Sequence, residues 1–231
     1  MPVLTSILSQ FPLFEGLPQP LLLDLAQHAQ TKVVNKREIL INKGDTKEQL
    51  YLLLEGRLQG IDFTQDGKEV GIYFVEPGDY IGEMTLIDKQ PHSEFLTALS
   101  RSMIILLPGE VVKSVIFSNP SAMESLCRKL ARRLRESNAH KVILAQPNPL
   151  QRLCMHLLLL KQTIHEGNLY ITNAPTHQEL AIMLNASRET VTRSFQLLQS
   201  KNIIERDGTF LYILNMHELN NIASGKSKSL L

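Results

Sequence analysis

Cysteine is nearly absent from this 231-residue chain, occurring only at Cys127 and Cys154. Two cysteines cannot build a disulfide framework, and no CxxC pair or Cys/His ligand cluster is present, which predicts a reducing, cytoplasmic setting. The seven histidines are scattered, with no HxH or HxxxH pair. A cupin-like metal enzyme needs clustered imidazole and carboxylate ligands. That remote alternative therefore finds no support, and neither a catalytic residue nor a metal ligand is expected. Excess charge is lacking too, since 24 basic against 23 acidic residues leave only +1. A nucleic-acid role must then come from local placement of charge. Apolar runs such as Leu157–Leu160 are far too short to span a bilayer. The N-terminus shows no basic stretch leading into an apolar one, so a signal peptide is not expected.

What is present changes character along the chain. Residues 1–37 look helical and short-looped, punctuated by Pro12, Pro18 and Pro20. From Glu38 to Leu107, short β-branched or aromatic runs alternate with glycines at 44, 56, 67 and 78 and again at 60, 71 and 82. Turn signals about eleven residues apart predict an all-β roll or barrel. From Glu110 to Gln146 the pattern is helical, with Met123, Leu126, Leu130, Leu134, Ser137 and Leu144 near one stripe. A long helix with a narrow seam pairs with its own copy or packs on its own β-domain. Arg128, Lys129, Arg132, Arg133 and Arg135 read as a solvated face. Pro147-Asn148-Pro149 ends the helix and opens another, predicted over Leu150–His165, with Asn148 as cap. The expected domains are thus 1–109, 110–146 and 147–231, with a hinge at Gln146–Asn148. Ser224–Leu231 read as a frayed basic tail. Met84 and Met183 read as core.

The richest stretch is Thr176–Arg193. Thr176 with Glu179 has the spacing of a capping box, and Leu180, Met183 and Leu184 follow as a buried stripe. Asn185 suits a left-handed turn, and Ser187 suits the N-cap of a second helix whose apolar face is Val191, Phe195 and Leu198. Arg188, Glu189, Thr190 and Arg193 remain on its outer side. That is a helix-turn-helix, whose second helix enters the major groove N-terminus first. Ile203–Arg206 and Thr209–Leu214 flank Asp207-Gly208 as a hairpin, which completes a winged helix.

The order of β-roll, long helix, Pro-containing junction and winged helix resembles the catabolite activator and fumarate-nitrate regulator (Crp/Fnr) family of bacterial transcription factors, over nearly the whole chain. The likeness is most specific at Ala186-Ser187-Arg188-Glu189-Thr190-Val191-Thr192-Arg193 and closest to the catabolite activator branch, itself a standard example of this docking geometry. The resemblance implies an α+β protein with a cyclic-nucleotide-binding-like β-roll, acting as a homodimer on a palindromic DNA operator, with RNA polymerase as a further partner. It implies base reading by Arg188, Glu189 and Arg193 in a TGTGA-like half-site, and phosphate contacts by Thr176, Gln178, Ser187 and Thr190.

In the β-roll, Ile81–Phe95 resembles the family's phosphate-binding cassette. Gly82 and Glu83 would then serve the helix start and the ribose, and Ser93 the phosphate, while Ser137 and Asn138, polar on a helix seam, fit either a purine contact or dimer register. The family's clamping arginine is replaced by His92, and Glu94 stands where a small residue is usual. Histidine lacks the permanent charge and planar fork that match phosphate. Three readings follow: an altered effector still touching His92 and Ser93, a cassette with no cyclic nucleotide, or cyclic di-GMP bound elsewhere. An iron–sulfur centre of the oxygen-sensing type is not expected, because no cysteine precedes Cys127. A haem axial ligand stays open.

Overall fold

The computed structural model describes residues 4–160, 162–165 and 168–227, and the chain divides into two compact units, Met1–Leu134 and Arg135–Leu231. The first opens with helices α1 (Thr5–Leu8) and α2 (Gln19–His28). Pro20 lies in the first turn of α2, where its missing N–H breaks no intrahelical bond. Strands β1 (Gln30–Val34), β2 (Ile39–Ile41), β3 (Gln49–Glu55), β4 (Leu58–Phe63), β5 (Glu69–Val75) and β6 (Tyr80–Ile81) follow. Then come helix α3 (Glu83–Asp88), strands β7 (Phe95–Ala98) and β8 (Ser102–Pro108), and helices α4 (Gly109–Ser118) and α5 (Pro120–Leu144).

The strands form two four-stranded antiparallel sheets, β1-β8-β3-β6 and β2-β7-β4-β5, the expected roll. It begins earlier than Glu38, because residues 30–34 form a strand rather than helix. Only Val34 of β1 is buried, so the strand carries no alternating apolar signal. The regular glycine spacing has two origins. Gly44, Gly56, Gly67 and Gly78 hold positive φ in turns. In the second set, Gly60 and Gly71 instead lie inside paired strands β4 and β5.

The single helix expected over 110–146 is two. Asn119 interrupts it and caps α5, its Oδ1 accepting from the amides of Ser121 (3.0 Å) and Ala122 (3.2 Å), and Pro120 opens the new helix. Leu126 and Ala122 are buried with Leu50, Leu52, Ile105, Leu107 and Val112, and Met123 and Leu130 pack against the same core. The first part of the stripe is therefore covered by the chain's own roll. Burying a leucine such as Leu126 stabilises this docking by about 1.5–3 kcal/mol. Leu134 and Val142, further along, are exposed.

The second unit holds the end of α5, helix α6 (Pro149–Leu159), strands β9 (Gln162–His165) and β10 (Asn168–Ile171), helices α7 (His177–Met183) and α8 (Arg188–Ser200), strands β11 (Ile204–Asp207) and β12 (Phe210–Ile213), and helix α9 (Met216–Ala223). Asn148 caps α6 as expected, accepting from Leu150 N at 2.8 Å. The helix expected to reach His165 stops at Leu159, because Leu160 turns to an extended conformation and residues 162–165 pair with β10. The wing is consequently an antiparallel sheet ordered β11-β12-β10-β9. Asp207 pairs with Phe210, so the hairpin loop is Gly208-Thr209, one residue later than expected. The core gathers Ile143, Leu153, Leu157, Leu180, Val191, Phe195, Leu198, Leu211 and Leu219. His140 donates from Nε2 to the Met183 carbonyl at 2.8 Å, so the end of α5 belongs to this core. Met183 is buried as expected, whereas Met84 is exposed, on the outer side of short α3. Of the expected frayed tail, residues 228–231 lie outside the described residues.

Among the described residues, no helix is long and apolar enough to cross a membrane, and no group of three His, Cys, Asp or Glu side chains is placed to hold a metal ion.

Candidate nucleic-acid interface and effector pocket

The two helix starts in Thr176–Arg193 form as their residues dictate. Thr176 and Glu179 make a reciprocal capping box. Thr176 N donates to Glu179 Oε2 at 2.8 Å, and Glu179 N donates to Thr176 Oγ1 at 3.3 Å. Asn185 adopts φ 47°, the left-handed conformation that turns the chain between helices. Ser187 caps α8, its Oγ accepting from Thr190 N at 3.1 Å and bonding the Thr190 hydroxyl at 2.9 Å.

Val191, Phe195 and Leu198 are buried beneath α8, and this fixes its outer face. Arg188, Glu189 and Arg193 are all exposed there, while Thr176, Gln178 and Ser187 are exposed around the two helix N-termini. Hydrogen bonds from its own backbone N–H and from Ser187 hold the Glu189 carboxyl below the usual carboxylate range. Near neutrality Glu189 is thus an acceptor only, flanked by the fixed donors Arg188 and Arg193.

Two supporting residues were not singled out from sequence. Arg206 of β11 donates to the carbonyls of Ala174 and Pro175, both at 2.9 Å, and to Gly208 O at 3.2 Å. It ties the wing to the segment that enters α7. His177 packs on Phe195, with ring centroids 4.4 Å apart, and its Nδ1 lies 3.0 Å from Thr192 Oγ1. Thr192 spends its one proton on Arg188 O at 2.9 Å, so His177 must donate from Nδ1.

Burial, reinforced by the charges of Arg206 and Arg188, lowers the His177 pKa below its ordinary 6.5. The folded state therefore binds fewer protons here than the unfolded chain. The stability from this group is complete above 6.5 and is lost as pH falls through the folded value. Urea midpoints measured from about pH 7.5 down to about pH 5.5 should decline less steeply in His177→Gln than in the wild type. Equal slopes would remove this assignment.

The cassette in the first unit begins at Gly82, which caps α3 at φ 101°. Glu83 is only 1% exposed, and its Oε1 accepts from Arg133 Nη1 at 3.1 Å. The Arg133 guanidinium also lies 4.3 Å from the centre of the Tyr73 ring. The Tyr73 hydroxyl donates to Glu94 Oε1 at 2.5 Å, and the Ser93 hydroxyl donates to Glu94 Oε2. Burial and the Glu94 charge push the Tyr73 hydroxyl well above its usual pKa of 10, so it remains a donor. A second cation, Lys129, binds Asp79 and the Tyr80 carbonyl from α5. Two members of the basic run expected to be solvated, Lys129 and Arg133, therefore fasten α5 to the roll. Helical spacing alone did not reveal the acidic partners in β5–α3.

Of the sequence-derived effector residues, Gly82, Glu83 and Ser93 fall in this cluster. His92 is buried, with Nε2 lacking a hydrogen-bond partner among the described residues, and is not linked to the Ser93–Glu94–Tyr73 chain. Ser137 and Asn138 are exposed on α5, within the other compact unit.

Residues 31–119 match the family model for a cyclic nucleotide-binding domain, and residues 151–222 match that for a Crp-like helix-turn-helix domain. The chain is 30% identical over 195 residues to the cyclic AMP receptor protein of Thermus thermophilus, covering 84% of this chain and 88% of that one. It belongs to the Crp/Fnr family. A CRP-like cAMP-activated global transcriptional regulator of Mycobacterium tuberculosis is 26% identical over 216 residues, 92% of this chain and 96% of that protein. The fold matches FixK2 of Bradyrhizobium japonicum at TM-score 0.73 and 19% identity, covering 84% of this chain and 96% of that one. This Crp/Fnr protein is a DNA-binding transcription regulator with a nucleotide-binding-type sensor domain.

The sensor's residues do not fit a cyclic phosphate. Ser93, the serine expected to meet a phosphate, already donates to an internal carboxylate, Glu94, which is itself buried. A phosphate placed beside Ser93 would meet the buried Glu94 carboxyl with no arginine at position 92, and burying like charges together is strongly unfavourable.

Proposed function

We propose that this regulator acts as a homodimer on a palindrome of two TGTGA-like half-sites. The observation that carries the reading is the start of α8: Arg188, Glu189 and Arg193 are all exposed in the first two turns, while Val191, Phe195 and Leu198 are buried. Arg188 and Arg193 offer the forked donors that suit guanine O6 and N7, and Glu189 offers an acceptor for a cytosine amino group. Thr176, Gln178, Ser187 and Thr190 hold phosphates, which positions the helix without specifying sequence. The exposed Leu134 and Val142 give α5 apolar surface for a second copy beyond the part that docks on the roll. Pairing of that kind sets the two recognition helices one DNA turn apart.

The test is binding of the full chain to a TGTGA…TCACA duplex and to a scrambled duplex, each at low and moderate salt, because phosphate contacts alone are strongly salt-dependent. Preference for the palindrome that persists at moderate salt supports the proposal. Equal binding to both duplexes at each salt contradicts it.

A further inference from the structure

We infer that the β-roll is self-liganded, with the Glu94 carboxylate, held also by Tyr73, taking the hydrogen bond that Ser93 would otherwise offer a cyclic nucleotide's phosphate, so that operator binding does not wait for a cyclic nucleotide. The inference deepens the DNA-binding reading above and rests on it for its DNA arm.

Three observations converge on it. Gly60 lies opposite Tyr73 in the β4–β5 pair, and a Cβ at position 60 would come within 2.6 Å of the Tyr73 ring. The glycine therefore vacates the space that the ring fills. The ring lies against the Arg133 guanidinium on α5, with that group 4.3 Å from its centre. Its hydroxyl then hands one hydrogen bond to Glu94, which accepts a second from Ser93. Glu94 is a buried anion of the same charge sign as a cyclic phosphate, held by the serine of the cassette and attached covalently to the chain.

The assembly also includes the long helix α5. Arg133 joins Tyr73 and Glu83 to α5, and α5 runs on without a break into the unit that contains α8. A ligand-sensing protein must populate its competent state through differential contacts made by the ligand. Here the corresponding contacts are intramolecular.

The experiment has two arms on the full chain. Calorimetry with cyclic AMP reads the pocket without DNA, and fluorescence anisotropy with the TGTGA…TCACA duplex reads the output. The wild type is expected to give no saturable heat with cyclic AMP and the same operator affinity with or without it. Glu94→Ala removes the internal anion and should weaken operator binding by about tenfold, the scale of a lost buried hydrogen bond to a charged group. Tyr73→Phe keeps the ring between Gly60 and Arg133 and deletes only the hydroxyl. It should weaken binding in the same direction even if Glu94→Ala fails to fold. Saturable cyclic AMP binding by the wild type, or operator affinity unchanged in Tyr73→Phe, overturns the inference. If no duplex is discriminated at all, the DNA-binding reading fails, while the calorimetry still decides the pocket.

Discussion

Arg188→Ala is expected to lose discrimination at one guanine of each half-site, by about 1–3 kcal/mol per contact, or roughly 5- to 150-fold in relative affinity. The loss should be confined to that base pair. Arg188 is the first residue of α8, exposed, with its backbone carbonyl bonded to Thr192 and its turn capped by Ser187. Removing the side chain leaves the cap, the buried face and the neighbouring donors in place, so folding should be nearly unaffected. Competition binding against duplexes altered at single positions measures this directly. A Gln178→Ala variant provides the contrast. If Gln178 holds a phosphate, its loss weakens all duplexes about equally and leaves their ranking intact. An Arg188→Ala protein that weakens binding uniformly would place Arg188 on the backbone instead of a base.

Gly82→Ala is the second large effect, and it concerns stability. Gly82 holds φ 101°, which an L-residue adopts at a cost of about 1–3 kcal/mol. A Cβ there would lie 2.2 Å from the Gln49 carbonyl oxygen, and backbone on β3 cannot yield as a flexible side chain does. The two penalties act together, so the first unit should melt several degrees lower, at about 2–4 °C per kcal/mol for a chain of this size. The defect should be the same with or without cyclic nucleotide, because the new Cβ meets the β3 backbone and not a ligand. Circular dichroism melts of wild type and variant decide it. An unchanged melting temperature would mean that the cassette can relax, contrary to this geometry. Gly82, read from the cassette as an effector residue, thus has a structural demand of its own.

The output end was largely legible because its signals are local. A capping box, a left-handed Asn185, a serine cap and a buried 3.6-residue stripe each depend on neighbours in sequence, and each forms. The input end was less legible because its chemistry is assembled across strands and helices. His92 and Glu94 could be seen to depart from the family pattern. However, nothing in the sequence said that Gly60 makes room for Tyr73, or that Tyr73 would pass a hydrogen bond to Glu94. The basic run on α5 misled for the same reason. Its periodicity describes the helix, whereas the burial of Lys129 and Arg133 is decided by Asp79 and Glu83, about fifty residues away. Polar strands failed in another way. β1, exposed along most of its length, takes its structure from pairing with β8 rather than from its own pattern.

The most direct measurement of the central claim is selection from a pool of random duplexes by the purified full chain, with no nucleotide added. The α8 face predicts enrichment of two inverted TGTGA-like half-sites with centres about one helical turn, or about 10 base pairs, apart. Enrichment of an unrelated motif, or recovery of no common motif, would contradict the reading of Arg188, Glu189 and Arg193.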